Sequence, residues 1–436
     1  MVRRIASRLA GLALGRGDPP PGPFRPTFWR SPIRGPWLSS VLGSILLLGI
    51  PVVFVTGLLS YAAYNPGLGG GNDRTPEKGI LGFYLFTWPT HPVWLYGLVI
   101  GTHVLVGLAL FPVVLAKLWS VIPKLFTWPT LRSPAHALER LSLVLLVGGA
   151  VFELVTGLLN IQLFSPWSFS FYTAHLYGAW VFMGAFVTHV ALKLPTMVRS
   201  LHARRLRDEL RTGLADTRPE ELGDSGLVAV SPAAPTISRR GVLGIVGGSS
   251  LLLVGLAGGQ TLGDGFRRTA LLAPRGGTFP GDFPVNKTAA GTGIRRADTE
   301  RAWRLAIEGN GRSVSLSRDD LLAMEQRTER LPIACVEGWT TTQTWTGVRL
   351  ADLVALVGSP SAAGVLVSSL QQGGAFGAAR LAANQVRDPR SLLALKVNGS
   401  DLSLDHGFPA RVIVPAAPGV HCTKWVRSLR LLADRA

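Results

Sequence analysis

Ser238-Arg239-Arg240-Gly241-Val242-Leu243 opens an apolar run that continues to about Leu262, and the chain reads differently on its two sides. From Gly241 to Gly263 there is no charged residue. About 20 mostly apolar residues make a helix long enough to cross the hydrocarbon of a bilayer. Four more such runs lie upstream, at Trp37 to about Tyr61, Val93 to about Leu118, Leu141 to about Leu163 and Ala174 to about Leu194. Glu153 is the one acidic residue inside those four. Buried helices of a soluble protein are shorter and interrupted by charge more often. Downstream of the Leu262 run the composition changes to short alternating segments and turn residues.

Composition agrees with that division. Only 16% of the 436 residues are charged, against about a quarter in soluble proteins. The formal net charge of +18 comes from 44 basic and 26 acidic residues. No nucleic-acid-binding module accompanies that charge, so no nucleic-acid partner is expected. The basic residues fall instead beside the apolar runs, where the excess of Lys and Arg in cytoplasmic loops sets orientation. One group is Arg3, Arg4, Arg8, Arg16, Arg25, Arg30 and Arg34; a second is Lys117, Lys124, Arg132 and Arg140; a third is Lys193, Arg199, Arg204, Arg205, Arg207 and Arg211. The loop from about Asn65 to His91 is balanced in charge, and Asn160 to Tyr172 has none. All three basic groups are therefore expected in the cytoplasm, and a fifth crossing puts residues after about 265 outside.

The stretch from about Arg211 to Pro235 reads as a polar linker. The Ser238–Leu243 motif that ends it resembles a twin-arginine export signal placed internally, departing from the usual pattern at Val242. The plainer reading is a pair of arginines that only fixes topology. The export reading matters because that route carries folded, cofactor-loaded domains.

Four of the eight histidines belong to two of the apolar runs: His91 and His103 on the second, His175 and His189 on the fourth. A haem iron between two helices needs one imidazole from each at matching depth. His175 and His189 are 14 residues apart, which returns to nearly the same helix face about 21 Å further along. Depth counted from the run boundaries pairs His103 with His189 as an inner site. His91 and His175 are then left at the outer boundary as a weaker second site. Interhelical hydrogen bonding or a proton path is the alternative. The constellation resembles the four-helix di-haem cytochrome b subunits of respiratory formate dehydrogenases and hydrogenases, over roughly residues 37–200. That resemblance implies one or two haem b groups, although the first run has no histidine to complete an outer site.

Beyond about Gly281 a mixed α+β domain is expected. Trp303–Ile307 and Ser313–Leu316 read as strands around Gly309-Asn310-Gly311. Asp319–Gln326 reads as a short helix, and Leu393–Val397, turned by Asn398-Gly399, and Ala410–Val414 as later strands. The two cysteines, Cys335 and Cys422, cannot make a disulfide framework or a four-cysteine metal site.

Ile333-Ala334-Cys335-Val336-Glu337-Gly338-Trp339 resembles the segment that carries the molybdenum-ligating cysteine in the sulfite oxidase superfamily. It is most similar to the branch containing the periplasmic methionine sulfoxide reductase. Further blocks match in order: Trp345-Thr346-Gly347-Val348 with Leu350 and Leu353, read as a turn and helix; Asp388–Leu395 with Asn398-Gly399 and Leu402; then His406-Gly407-Phe408-Pro409-Ala410-Arg411 with Pro415, Gly419, Lys424 and Trp425. The resemblance implies a molybdopterin cofactor with molybdenum held by Cys335, which is thereby the catalytic residue. It also implies pterin contacts from His406, Arg411 and Lys424, and leaves Cys422 to pack. Sulfite oxidases proper carry arginines just after the ligand cysteine. Glu337 in that stretch is expected to disfavour an anion and so puts sulfite in doubt.

The expected organisation is a basic arm over 1–36, a four-helix cytochrome b-like membrane domain over 37–200, a linker over 201–240, a fifth membrane helix over 241–262, an outer linker over 263–299 and the molybdopterin domain over 300–436. The expected activity is oxygen-atom, two-electron chemistry on an S-oxide or N-oxide outside the cytoplasmic membrane. Electrons would come through the haem-binding helices from the quinone pool or a redox partner protein. The alternatives are the same catalytic domain with the helices acting only as an anchor, sulfite oxidation, and a cofactor-free binding module.

Overall fold

In the computed structural model the described residues are 18–64, 86–128, 134–223, 225–277, 283–358, 364–371 and 376–432. Arg3, Arg4, Arg8, Arg16, Arg132 and most of the 65–91 loop lie outside them. The chain divides into two compact units. One comprises Met1–Val52, Val106–Gly157 and Tyr177–Val254; the other comprises Val53–Leu105, Leu158–Leu176 and Gly255–Ala436.

Five long helices take up the apolar runs: α1 (Pro36–Ala63), α2 (Leu95–Val121), α3 (Pro134–Ile161), α4 (Phe171–Ala203) and, after the short α5 (Leu206–Arg211), α6 (Arg239–Leu262). All five are long and apolar enough to cross a membrane by length and composition. They carry large exposed side chains such as Leu48, Leu98, Val187 and Leu251. Pro51, Pro112 and Pro195 lie inside α1, α2 and α4.

In the first unit Arg239 is 1% exposed, whereas its neighbour Arg240 is on the surface. Its guanidinium meets Glu209 at 3.5 Å and donates to the carbonyls of Arg218 at 3.0 Å and Pro32 at 3.4 Å. Arg204 closes on the same Glu209 carboxylate. Glu220 accepts from the Trp37 backbone N–H at 3.2 Å, and burial raises its carboxyl pKa. The start of the segment expected as a polar linker is therefore part of a packed, ion-paired cluster. A buried arginine requires partners; the two carbonyls satisfy Nη2 and Glu209 supplies the opposite charge.

The second unit contains the mixed domain. One sheet has strand order β2-β1-β10-β5-β6, from β1 (Leu305–Gly309), β2 (Arg312–Leu316), β5 (Val365–Ser369), β6 (Ala378–Leu381) and β10 (Val426–Leu431). β1 runs parallel to β10, and the remaining pairs of this sheet are antiparallel. The other sheet has order β3-β4-β7-β8, with β9 also on β7, from β3 (Arg327–Ala334), β4 (Thr340–Arg349), β7 (Leu392–Val397), β8 (Ser400–Asp401) and β9 (Arg411–Ile413). Leu305, Ile307, Val367, Leu393, Val412 and Leu429 belong to one core, while Leu331, Ile333, Cys335, Trp339, Trp345 and Ile413 share another.

The expected strands at Trp303–Ile307, Ser313–Leu316, Leu393–Val397 and Ala410–Val414 appear as β1, β2, β7 and β9 with shifted ends. The short helix forms as α7 (Arg318–Ala323), where the Ser317 side chain caps the Asp320 N–H and Asp320 returns the bond. Trp345–Val348 is not a turn but the end of β4, directly before α8 (Leu350–Ala355). The register shifts between Thr346 and Gly347, and a Cβ at Gly347 would collide with the Leu393 carbonyl. The glycine that looked like a turn residue is there because a neighbouring strand approaches closely.

Candidate active site

Cys335 follows the last residue of β3, and Trp339 precedes the first of β4, so the two strands present a five-residue loop. Cys335 N donates to Trp339 O at 2.9 Å and Gly338 N to Cys335 O at 2.9 Å, which closes the loop as a tight turn. Gly338 takes φ +87°, a conformation open to glycine at little cost. Residues in the last turns of two long helices hold the same loop. Asn160 Nδ2 donates to Val336 O at 3.2 Å, Gln260 Nε2 to Glu337 O at 3.3 Å, and Thr261 Oγ1 to Gly338 O at 2.5 Å. Three consecutive carbonyls after the cysteine are thus satisfied by α3 and α6.

The Cys335 side chain faces a cavity of about 380 Å³. Among the described residues, the cations Arg275, Lys287, Arg411 and Lys424 line it, with Glu337 as the carboxylate. Arg411 is 4% exposed; it donates from Nη1 to His406 O at 3.3 Å and lies over the Trp345 ring at 5.6 Å. Lys424 Nζ donates to Lys287 O at 2.7 Å and Asp405 O at 2.8 Å. Burial, with Arg411 adding, pulls its ammonium down to about 6. The Cys335 thiol is pushed far up by burial and then by the Glu337 charge. A buried thiol in that state is a poor nucleophile and becomes a thiolate only when a metal stabilises it.

These residues fit a molybdopterin. Arg411 Nε and Thr423 Oγ1 are buried polar atoms without a hydrogen-bond partner among the described residues, and both side chains line the cavity. Such groups are costly unless a ligand satisfies them. A soft thiolate for the metal, and a guanidinium with an ammonium for a phosphate, form a coherent donor set.

His406 is placed differently from the expectation of a pterin contact. It is buried and stacked on Phe283 with ring centres 3.8 Å apart. Nδ1 pairs with Ser403 Oγ at 2.9 Å and Nε2 with Phe283 O at 3.3 Å, so both ring nitrogens are used by the protein. It is not among the described cavity-lining residues; its contribution is to hold Arg411 through its carbonyl. Glu337 also differs. Its carboxylate takes Arg275 Nε at 3.1 Å and Trp339 Nε1 at 2.8 Å, so its charge is compensated and does not by itself repel an anion. Cys422 lines the cavity rather than only packing. Sequence reading missed Arg275, Lys287, Gln371, Asn160 and Tyr172. Arg275 and Lys287 sit in a stretch without strand or helix periodicity, and Asn160 and Tyr172 sit at the helix ends that border the uncharged segment between α3 and α4.

Two histidines of the apolar helices that were expected at different sites lie side by side. His103 and His175, both in the second unit, have ring centres 6.2 Å apart. His103 Nδ1 is engaged by Val53 O at 2.9 Å and Thr56 Oγ1 at 3.3 Å. His175 stacks on Phe171 at 4.8 Å. The expected partner of His175, His91, precedes α2; it contacts Arg390 Nη2 at 2.6 Å and Asp388 at 3.6 Å. His189 belongs to the first unit. The sequence placed the start of the fourth helix at Ala174, but α4 begins at Phe171, which puts His175 a full turn inside.

Residues 292–436 match the family model described as oxidoreductase molybdopterin binding domain. Mitochondrial sulfite oxidase of Homo sapiens is 35% identical over 153 residues, covering 28% of this chain and 28% of that protein. The protein-methionine-sulfoxide reductase catalytic subunit MsrP of Burkholderia mallei is 31% identical over 157 residues, covering 32% of this chain and 46% of that one. The chain thus spans less than a third of the sulfite oxidase. The solved sulfane dehydrogenase SoxCD from Paracoccus pantotrophus is 25% identical over 31% of this chain and 39% of its own, with a TM-score of 0.28, too low to argue from. The C-terminal region thus matches a molybdopterin-binding oxidoreductase domain and is similar in sequence to sulfite oxidase and to a methionine-sulfoxide reductase catalytic subunit.

Proposed function

We propose that the protein is a membrane-bound molybdopterin-dependent oxidoreductase that works on an S-oxide or N-oxide outside the cytoplasmic membrane. Electrons reach it through the long apolar helices, from the quinone pool or a redox partner protein. The observation that carries the reading is the hold of α3 and α6 on the Cys335 loop, through Asn160, Gln260 and Thr261. Helices that served only as an anchor would have no need to fix the three carbonyls beside the metal-binding thiol.

Cys335 would hold the molybdenum, and Arg411, Lys424 and Thr423 the pterin phosphate. When bound, the group supplies oxygen-atom transfer coupled to two electrons. The chain's own residues bury the thiol, hold it in a fixed turn, and neutralise Glu337 with Arg275. An S-oxide is favoured by Val336-Glu337-Gly338 in place of arginines after the cysteine, and by likeness to a protein named as a methionine sulfoxide reductase. Sulfite oxidation is the second reading, supported by the compensation of Glu337 and the cationic cavity wall.

For the relay, His103 and His175 are the candidate haem ligands. Their separation allows one metal ion to take a nitrogen from each ring. His103 already spends its other nitrogen on a backbone carbonyl, the arrangement that orients metal-binding histidines. Outward placement of the catalytic domain rests on the basic segments and the Arg239-Arg240 pair. Metal and haem analysis of the purified full-length protein tests the whole. Molybdenum with a haem that quinol reduces supports the relay, molybdenum alone supports the anchor, and absence of both leaves a binding module.

A further inference from the structure

Phe171 and His175 are four residues apart on α4, one turn along a single helix face, and their rings stack at 4.8 Å. Tyr172 is one residue further on, so its side chain leaves the helix about 100° around from Phe171. It lines the cavity that Cys335 faces. Its ring meets Phe171 at 5.6 Å and Phe376, which also lines the cavity, at 6.3 Å. At the other end of the series His175 stands 6.2 Å from His103. Each separation lies within the range of about 4.5–7 Å for interacting rings. All five residues belong to the second unit. Rings therefore follow one another from the candidate haem ligands to the cavity. An aromatic belt at a membrane interface sets rings at one depth. It does not call for rings in series between two sites.

We infer that Phe171 and Tyr172 form the electron route between a haem held by His103 and His175 and the molybdenum cofactor at Cys335. The inference rests on the relay read above and names its path. Electronic coupling through a protein falls steeply across gaps and less along packed atoms, so rings in contact join the two sites. Phe171 and Tyr172 lie outside the 292–436 match, so the route belongs to the helical part of this chain. Each passage moves one electron, as the haem iron goes from ferrous to ferric, and leaves the rings unchanged. Two passages supply the pair that, with two protons, converts a sulfoxide to the sulfide and water. A quinol, oxidised to the quinone with release of two protons, returns two electrons to the iron in turn. In the opposite direction, sulfite and water give sulfate, two protons and two electrons, which reach ferric haem by the same rings.

The test uses purified full-length protein loaded with molybdenum and haem. The haem is reduced with dithionite, the excess is removed, and reoxidation by saturating dimethyl sulfoxide is followed by stopped-flow absorbance. Saturating sulfite added to the oxidised protein gives the reverse step. Phe171→Leu and Tyr172→Leu should slow the haem step at least tenfold. Phe171→Tyr and Tyr172→Phe keep a ring in place and should stay within about threefold of wild type. Haem absorbance, haem midpoint potential and molybdenum content should be unchanged in the Phe171 variants. Wild-type rates in both leucine variants overturn the route. Equal slowing in the leucine and ring-retaining variants also overturns it, because packing and not the ring would then matter. So does a shifted haem potential in Phe171→Leu that accounts for the slowing, since Phe171 would then serve only His175. If sulfite alone drives the haem step, the S-oxide reading fails, while the comparison of variants still decides the route. A wild type without haem overturns the relay and the route together.

Discussion

Asn160, at the end of α3, donates from its side-chain amide to the carbonyl of Val336, the residue after Cys335, at 3.2 Å. The Cys335 loop is therefore held by a residue far from it in sequence. Replacing Asn160 by Leu leaves the Val336 carbonyl without this donor. Losing such a bond costs on the order of 1–3 kcal/mol. Expected are a lower midpoint of thermal unfolding for the catalytic region and a faster loss of molybdenum on dialysis, with secondary structure unchanged by circular dichroism. Equal molybdenum retention in wild type and variant would show that the contact does not hold the loop.

Cys335→Ser should abolish turnover while leaving the fold intact. The side chain is 6% exposed and packs with Ile333, Trp339 and Trp345, and a hydroxyl occupies similar space. It does not replace a soft thiolate as a molybdenum ligand. Activity assays beside thermal melts decide this. Turnover near the wild-type rate would remove Cys335 from the chemistry.

Arg239 and Arg240 are predicted to differ. An export signal read by a receptor depends on both arginines, whereas only Arg239 is buried on Glu209. Glu209→Gln removes the carboxylate that contacts that guanidinium and leaves only the more distant charge of Glu220, so it should lower stability by up to about 3–5 kcal/mol, the cost of breaking a buried pair. Arg240→Lys should leave stability unchanged. Protease access to residues beyond 265 from outside the cell, measured in Arg240→Lys, isolates the export role from the structural one. Full export in that variant would reduce the pair to a packing and topology feature.

Much of this arrangement was legible in the sequence because its signals are local. Apolar length defined the five helices, and the short helix read over Asp319–Gln326 forms as α7. The turn at Asn310-Gly311 set β1 against β2, and the blocks around Cys335, Arg411 and Lys424 marked the site. What was not legible depends on tertiary approach. Gly347 looked like a turn because its reason, the Leu393 carbonyl across the sheet, is 46 residues away in sequence. His406 sits within a block whose resemblance implied cofactor contacts, yet it spends both nitrogens on Ser403 and Phe283. Arg275 and Lys287 carry no periodicity, and only the folded cavity wall shows what they face.

Acid should destabilise the protein through His406 and His421. Burial holds both imidazoles down to about 4, against 6.5 for an unperturbed histidine. The folded state therefore stays neutral where the unfolded chain takes up protons. Their stabilisation is complete above about pH 6.5 and is lost as pH falls toward 4, by up to about 1.4 kcal/mol per pH unit for each. The midpoint of thermal unfolding should drop between pH 7 and 5, and His406→Gln should make that drop shallower. An identical pH profile in the variant would mean that other groups control acid sensitivity.

The pairing of His103 with His175 leads to the test that separates relay from anchor. Depth counted along the sequence paired His103 with His189, so each pairing predicts a different set of spectra. If one iron lies between His103 and His175, either alanine substitution leaves it with a missing axial ligand. Both single variants should then lose the same b-type absorbance component in purified full-length protein. His189→Ala should retain that component, as should His91→Ala, whose ring is engaged by Arg390. Val53 offers its carbonyl to His103 Nδ1 at 2.9 Å, which fixes the ring whether or not a metal is present. Thermal midpoints are measured beside the spectra, so that a lost component with the midpoint retained reports the ligand and not the helix. Quinol-driven reduction should vanish with the component, while a dye that reaches the molybdenum site directly should still support turnover. Loss of the component in His189→Ala and its persistence in His175→Ala would restore the pairing read from sequence depth. A full spectrum in all four variants would leave the two rings as an interhelical contact and the helices as an anchor.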